Sequence, residues 1–179
     1  MAASGNAPRL STIIFDDGTM KTTKTDAFWQ SFFEAKGIED KNYDVVSFGD
    51  SPAMADELAA LVVRGPKRAT AGLLRDYQGE PTAIPVIGGY AVVVNGGGDP
   101  LCVFQTTDVR IGPLSSVDDS FAWDEGEGDR TREWWLAAHT SEFARQSEIE
   151  KFQMHPDILT IFERFKLVWP EAVADKKSG

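Results

Sequence analysis

The chain has 179 residues, 42% hydrophobic and 26% charged, the size and composition of one globular domain rather than of a disordered chain or two independent cores. Its 18 Lys and Arg against 28 Asp and Glu give a formal net charge of −10, which argues against a protein that coats DNA or long RNA by counterion release. One cysteine, Cys102, excludes an internal disulfide, two histidines weaken any zinc reading, and no apolar run reaches membrane length. The N-terminus also lacks a signal-peptide core, so a cytoplasmic protein without a membrane partner is expected.

Residues 1–24 read as a flexible N-terminal tail, within which Leu10 to Phe15 offers a short strand at most. Ordered structure is expected over 25–169, with 170–179 as a C-terminal tail. Thr25-Asp26 reads as an N-cap for a helix carrying Phe28, Trp29, Phe32 and Phe33, and Gly37 is its stop. Ser51 caps a second helix with Pro52 in its first turn and Met54, Leu58, Leu61 and Val62 as its apolar stripe, ended by Gly65.

Ala69 to Tyr77 is read as a short helix or turn. Tyr90 to Val94 and Leu101 to Ile111 are apolar, β-branched runs joined by the turn cluster Asn95 to Pro100, so an antiparallel hairpin is expected. Ser116 to Trp123, capped by Ser115 or Ser116, and Thr131 to Gln146, with Trp134, Trp135, Ala138 and Phe143, read as helices. Ile158 to Trp169 reads as a closing strand. The sum is an α+β fold: a small, mostly antiparallel β-barrel flanked by several helices.

Two segments of opposite charge stand out. From Arg64 to Arg75 every charged residue is basic, and Lys67 and Arg68 project from a turn just after Gly65, with Thr70 close behind. Backbone amides and fixed positive charge at such a turn suit a phosphate or carboxylate. Taken alone, solvation of a helix end and capping are the commoner roles for these residues. The second segment, Asp124-Glu125-Gly126-Glu127-Gly128-Asp129, offers carboxylates for acid–base work or, through Glu127 and Asp129, for Mg²⁺. Taken alone, it is a solvated acidic turn. Together, Lys67, Thr70 and Glu125 supply a base, a hydroxyl nucleophile and a proton-transferring acid. Lys67 and Thr70, three apart, are expected to meet across one turn. For Lys67 to act as a base its pKa must fall; Arg64 and Arg68 push it down, and a close Glu125 pushes it up.

The order Phe48-Gly49-Asp50, Glu57-Leu58-Ala59, Gly65-Pro66-Lys67-Arg68-Ala69-Thr70, Phe121-Ala122, Glu125-Gly126-Glu127-Gly128-Asp129, then Trp134 and His139, resembles the activating-signal-cointegrator homology (ASCH) family. More narrowly it is similar to a bacterial stand-alone branch once grouped as a domain of unknown function. The resemblance spans about residues 26–168 and implies a PUA-like barrel with a cleft beside it. It further implies either of two activities. One is hydrolysis of the amide of N4-acetylcytidine by a lysine, a threonine and a glutamate, matching Lys67, Thr70 and Glu125, with no cofactor required. The other is binding or Mg²⁺-dependent cleavage of single-stranded RNA in the same cleft. A sensing module without turnover is a third expectation. The chain is longer than the small amidohydrolases, and Pro66 and Arg68 flank its lysine.

The expected partner is therefore a nucleoside or single-stranded RNA. Gly65, Arg64 and Arg68 are the candidate phosphate contacts, and Trp123, Tyr77, His139 and Ser141 the candidate substrate contacts. At helical spacing most tryptophans belong to the core; Trp123, beside the acidic loop, is the exception chosen to stack a base. Tyr90 reads equally as a barrel residue. His139 reads as a hydrogen-bonded core histidine at least as readily as a ligand.

Overall fold

The computed structural model describes residues 21–39, 42–78 and 84–176. The strand expected at Leu10 to Phe15 lies outside them. Helix α1 (Thr23–Lys36) has Thr22 as its N-cap, three residues before the expected Thr25, because Thr22 and Thr25 form a reciprocal capping box, and it ends at Gly37 in the left-handed conformation. Helix α2 (Pro52–Arg64) is capped by Ser51 and closed by Gly65, as its sequence signals indicate.

Among the described residues, five strands form one sheet: β1 (Asp44–Val46), β2 (Ala69–Leu73), β3 (Tyr90–Val94), β4 (Pro100–Pro113) and β5 (Leu159–Trp169), in the order β1-β3-β4-β5-β2. The first pair is parallel and the other three are antiparallel. The sheet curls into a half-barrel, and the four α-helices among the described residues make the fold α+β. A register slip beside Val103 and Phe104 puts an extra residue, Val168, into β5, and one between Thr106 and Asp108 puts Thr107 into β4, the device by which a long strand bends.

Successive strand residues face opposite layers. On one face Val45, Val92 and Val103 pack against Trp29 and Phe32 of α1. Towards its β2–β5 end the same face meets α3 (Asp119–Glu125) and α4 (Arg132–Glu150) through Ala71, Phe162, Phe121 and Trp135. On the other face Val46, Ala91, Val93, Phe104 and Phe165 pack beneath Leu58, Ala59 and Val62 of α2.

Three local expectations are corrected. Ala69 to Leu73 is a strand rather than a helix or turn, and only Leu74–Tyr77 forms a 3₁₀ turn. All five β2 residues are buried, so the alternation that reveals a half-exposed strand is absent and pairing with β5 decides the conformation. Helix α3 begins at Asp119 because Asp118, not a serine, accepts the Phe121 amide; Leu114–Ser116 is a separate 3₁₀ turn. Strand β1, three residues long, was not anticipated, since so short a run carries no periodic signal. Among the described residues, no helix is long and apolar enough to cross a membrane.

Candidate functional site

The basic turn and the acidic loop are locked together by backbone contacts. The Arg68 amide donates to the Asp124 carbonyl at 2.7 Å. Gly126 has φ +72°, and a Cβ there would sit 2.7 Å from the Pro66 carbonyl carbon and 2.8 Å from the Lys67 nitrogen. Only glycine satisfies both the left-handed backbone and that approach. A side chain at Gly128 would likewise strike the Trp134 ring, with a Cβ 2.1 Å from its nearest atom. The glycines of the acidic run therefore let two charged segments close on each other.

Lys67 is completely buried by this closure. Its Nζ donates to Glu127 Oε1 at 2.5 Å and stands 3.5 Å from Glu125 Oε1, with the Phe48 ring 5.3 Å away. Helix α4 supplies the other wall. Trp135 Nε1–H donates to Glu125 Oε2, and His139 Nε2 lies 3.5 Å from Glu125 Oε1. His139 Nδ1–H donates to the Trp135 carbonyl at 3.0 Å, and its ring stacks on Trp135 at 3.7 Å between centroids. Glu125 and Glu127 are buried like the lysine they face, and among the described residues Glu127 Oε2 has no hydrogen-bond partner. An unmet buried carboxylate oxygen is costly.

Protonation follows from these contacts. Burial favours a neutral Lys67, but the two carboxylates outweigh it and hold the ammonium above the usual lysine range. Burial also opposes ionisation of Glu125, yet Lys67, His139 and the indole N–H keep its carboxyl below the ordinary value. Glu127 goes the other way: burial, reinforced by the charge of Glu125, lifts its carboxyl despite Lys67. The cluster is an ammonium with one firmly ionised carboxylate and a second that keeps its proton to higher pH.

The remaining sequence candidates scatter. Thr70 lies within β2, opposite Glu163 of β5, so it does not follow Lys67 around a helical turn as expected. Arg68 is bound bidentately by Asp175, with its guanidinium also donating to the Val62 and Lys67 carbonyls. Arg64 is exposed in the last turn of α2, directly before Gly65. Tyr77 is buried beside Gly72, and Tyr90 packs on Trp29 and Phe32. Trp123 is 57% exposed under the Arg130 guanidinium, 3.7 Å from its ring centroid. Ser141 lines a separate groove of about 520 Å³ with Leu114, Leu136 and Pro156.

The two carboxylates suggested for Mg²⁺ do not fit that cation as they stand. Glu127 is engaged by Lys67, and Asp129 is exposed and accepts from the Thr131 amide and hydroxyl at the start of α4. Among the described residues, no group of three or more His, Cys, Asp and Glu is placed to hold a metal ion.

Sequence reasoning passed over Trp135 as a site residue, and it passed over Glu163. The signal for Glu163 was available: it is the lone charge in the alternating stripe Ile161, Glu163, Phe165, Leu167.

An α+β half-barrel whose helices close over a buried lysine–carboxylate cluster defines the class of protein. Residues 44–169 match the family model described as the ASCH domain, and the chain belongs to that family. It is similar to the crystal structure of an ASCH domain from Lactobacillus crispatus, with 27% identity over 82% of this chain and 94% of that one, at a TM-score of 0.73. It is also similar to a protein from Enterococcus faecalis assigned to a domain-of-unknown-function family, with 34% identity over 81% of this chain and 88% of the other, again at a TM-score of 0.73. A comparison with curated proteins gave no match. The fold is related to RNA binding.

Proposed function

We propose that the chain is a hydrolase that removes the acyl group from an acylated cytidine of the N4-acetylcytidine kind. The observation that carries this reading is the buried Lys67, held by Glu127 at 2.5 Å with Glu125 beside it. Burying one cation between two carboxylates is poor value for stability alone, since apolar replacements often do as well. Perturbed, coupled groups of this kind are characteristic of sites that move protons.

The raised lysine pKa requires a proton path. Lys67 passes a proton to Glu127, and its free amine then takes the proton of the nucleophile, either the Thr70 hydroxyl or a water. Attack on the acyl carbonyl carbon breaks the C–N bond, and the Lys67 ammonium returns the proton to the departing N4 nitrogen. With water as nucleophile the products are cytidine and acetate; with Thr70, cytidine leaves first and one water then hydrolyses the acetyl ester to acetate, freeing the hydroxyl. Glu125, ionised and fixed by Trp135, holds the ammonium in place.

The test is a chromatographic time course of the purified chain with N4-acetylcytidine, beside Lys67→Ala and with and without chelator. Chelator-resistant release of cytidine that disappears in the variant is expected. Turnover retained by a folded Lys67→Ala protein would rule the mechanism out. A second reading, single-stranded RNA binding, is favoured by Trp123, whose exposed ring under Arg130 suits base stacking. It requires RNA affinity that falls steeply with salt and weakens in Trp123→Ala.

A further inference from the structure

A second polar group occupies the sheet face on which Thr70 stands. Cross-strand partners share a face, so Glu163 lies beside Thr70. Thr106 on β4 donates its hydroxyl to Glu163 Oε1 at 2.6 Å. Tyr77 reaches the same face, since a Cβ on Gly72 would lie 3.1 Å from its hydroxyl. Glu163, Thr106, Thr70 and Tyr77 are all buried.

The charged and titratable groups acting on Glu163 are Asp44 of β1, also an acid, and the Tyr77 phenol. Arg164, the next residue, turns to the opposite face and pairs with Asp124 at 2.8 Å. Among the described residues no cation pairs with Glu163. An acid set in an apolar stripe, without a counter-charge, is expensive to ionise and contributes nothing to packing that leucine would not.

We propose that Glu163, held by Thr106 and directly across from Thr70, reads the N3/N4 edge of the cytosine ring as a carboxylic acid, donating its O–H to N3 and accepting from N4–H. This rests on the nucleoside reading above. A neutral carboxyl offers one donor and one acceptor side by side, the complement of that edge, and enzymes that act on a base read it by hydrogen bonds to its pairing edge. Burial, with Asp44 adding to it against the Thr106 hydrogen bond, pushes the carboxyl up to about 7, so the donor form is populated in neutral solution. Thr70, as the reacting hydroxyl on the neighbouring strand, then stands on the same side of the sheet as the base it serves.

The experiment is calorimetric titration of the full chain with cytidine and with 3-deazacytidine, which carries C–H in place of N3, at pH 6 and pH 8.5. Turnover of N4-acetylcytidine is followed separately. At pH 6 the wild type is expected to prefer cytidine roughly 10- to 100-fold, and the preference falls at pH 8.5. Glu163→Gln keeps a donor and an acceptor, so it retains the preference at both pH values. Glu163→Ala loses it, and Thr106→Val weakens it. Equal affinity of the wild type for the two nucleosides overturns the proposal. So does an undiminished preference in folded Glu163→Ala, or wild-type pH dependence in Glu163→Gln should the alanine variant fail to fold. Discrimination without any hydrolysis supports base reading and removes the amidohydrolase step alone; absence of nucleoside binding overturns both.

Discussion

Glu127, two residues beyond the carboxylate that the sequence singles out, takes the closer place on Lys67: 2.5 Å against 3.5 Å for Glu125. The proposed proton route gives the two carboxylates different parts. Lys67, His139 and the Trp135 indole N–H together keep Glu125 ionised, whereas Glu127 has one oxygen on Lys67 and one that, among the described residues, has no partner. A proton moving off Lys67 therefore has Glu127 as its nearest acceptor.

Exchanging each carboxyl for its amide separates these roles. Glu127→Gln removes the acceptor and is expected to lower kcat about 100-fold with KM nearly unchanged, in the range usual for losing an acid–base group. Glu125→Gln disturbs the scaffold and is expected to destabilise the fold by roughly 1–3 kcal/mol, the cost of leaving buried partners unmet. Steady-state kinetics on N4-acetylcytidine and urea unfolding report the two effects. A Glu127→Gln enzyme with wild-type kcat would sink the proton route.

Lys67→Met removes the ammonium that pairs with both buried carboxylates, and a loss of roughly 3–5 kcal/mol is expected. The pH dependence has a definite sign. Lys67, raised in the fold, stabilises fully below its unfolded value and loses that contribution as pH climbs through the folded one. Glu125, lowered in the fold, stabilises above its unfolded value and loses the contribution as pH falls through the folded one. The ion pair thus supports the fold across the neutral range and fails at both extremes. Unfolding free energies of wild type and Lys67→Met should converge towards acid pH; a constant gap down to pH 3 contradicts this.

Gly126→Ala tests the closure itself. The new methyl must sit at φ +72° and within 3 Å of the Pro66 and Lys67 backbone, where no flexible side chain can yield. A destabilisation of roughly 2–4 kcal/mol is expected from strain and overpacking together. Thermal melting of the variant checks it, and a melting temperature within a degree of wild type would show that the two segments do not need this contact.

The elements with strong local signals were legible before the fold was known. Ser51-Pro52 and Gly65 bracket α2, and the Asn95–Pro100 cluster turns the hairpin, because caps and tight turns are decided by nearby backbone. Elements decided by distant partners were not. Ala69 to Leu73 becomes a strand only because β5, some ninety residues later, lies beside it. The same holds within the site. Opposite charge and glycine content announced that the Lys67 turn and the acidic loop belong together, but not which carboxylate would sit nearer, since a single left-handed glycine sets that geometry. Arg68 read as a candidate phosphate contact, whereas Asp175, in the segment taken as a tail, binds its guanidinium.

Glu163 carries a stability signature that does not depend on any substrate. Its carboxyl is pushed up to about 7 by burial, against an unfolded value of about 4.3. A raised acid contributes stability that is complete below the unfolded value and is lost as pH rises through the folded one. The wild type should therefore lose roughly 3 kcal/mol from this group between pH 4 and pH 8, moderated by whatever water reaches the carboxylate. Glu163→Gln has no such ionisation, so it should gain on the wild type steadily over that interval and overtake it on the alkaline side. Urea unfolding at pH 5 and pH 8.5 measures the change. If the free-energy difference between the two proteins is the same at both, Glu163 ionises without cost, and its burial beside Thr106, Thr70, Tyr77 and Asp44 does not hold in solution.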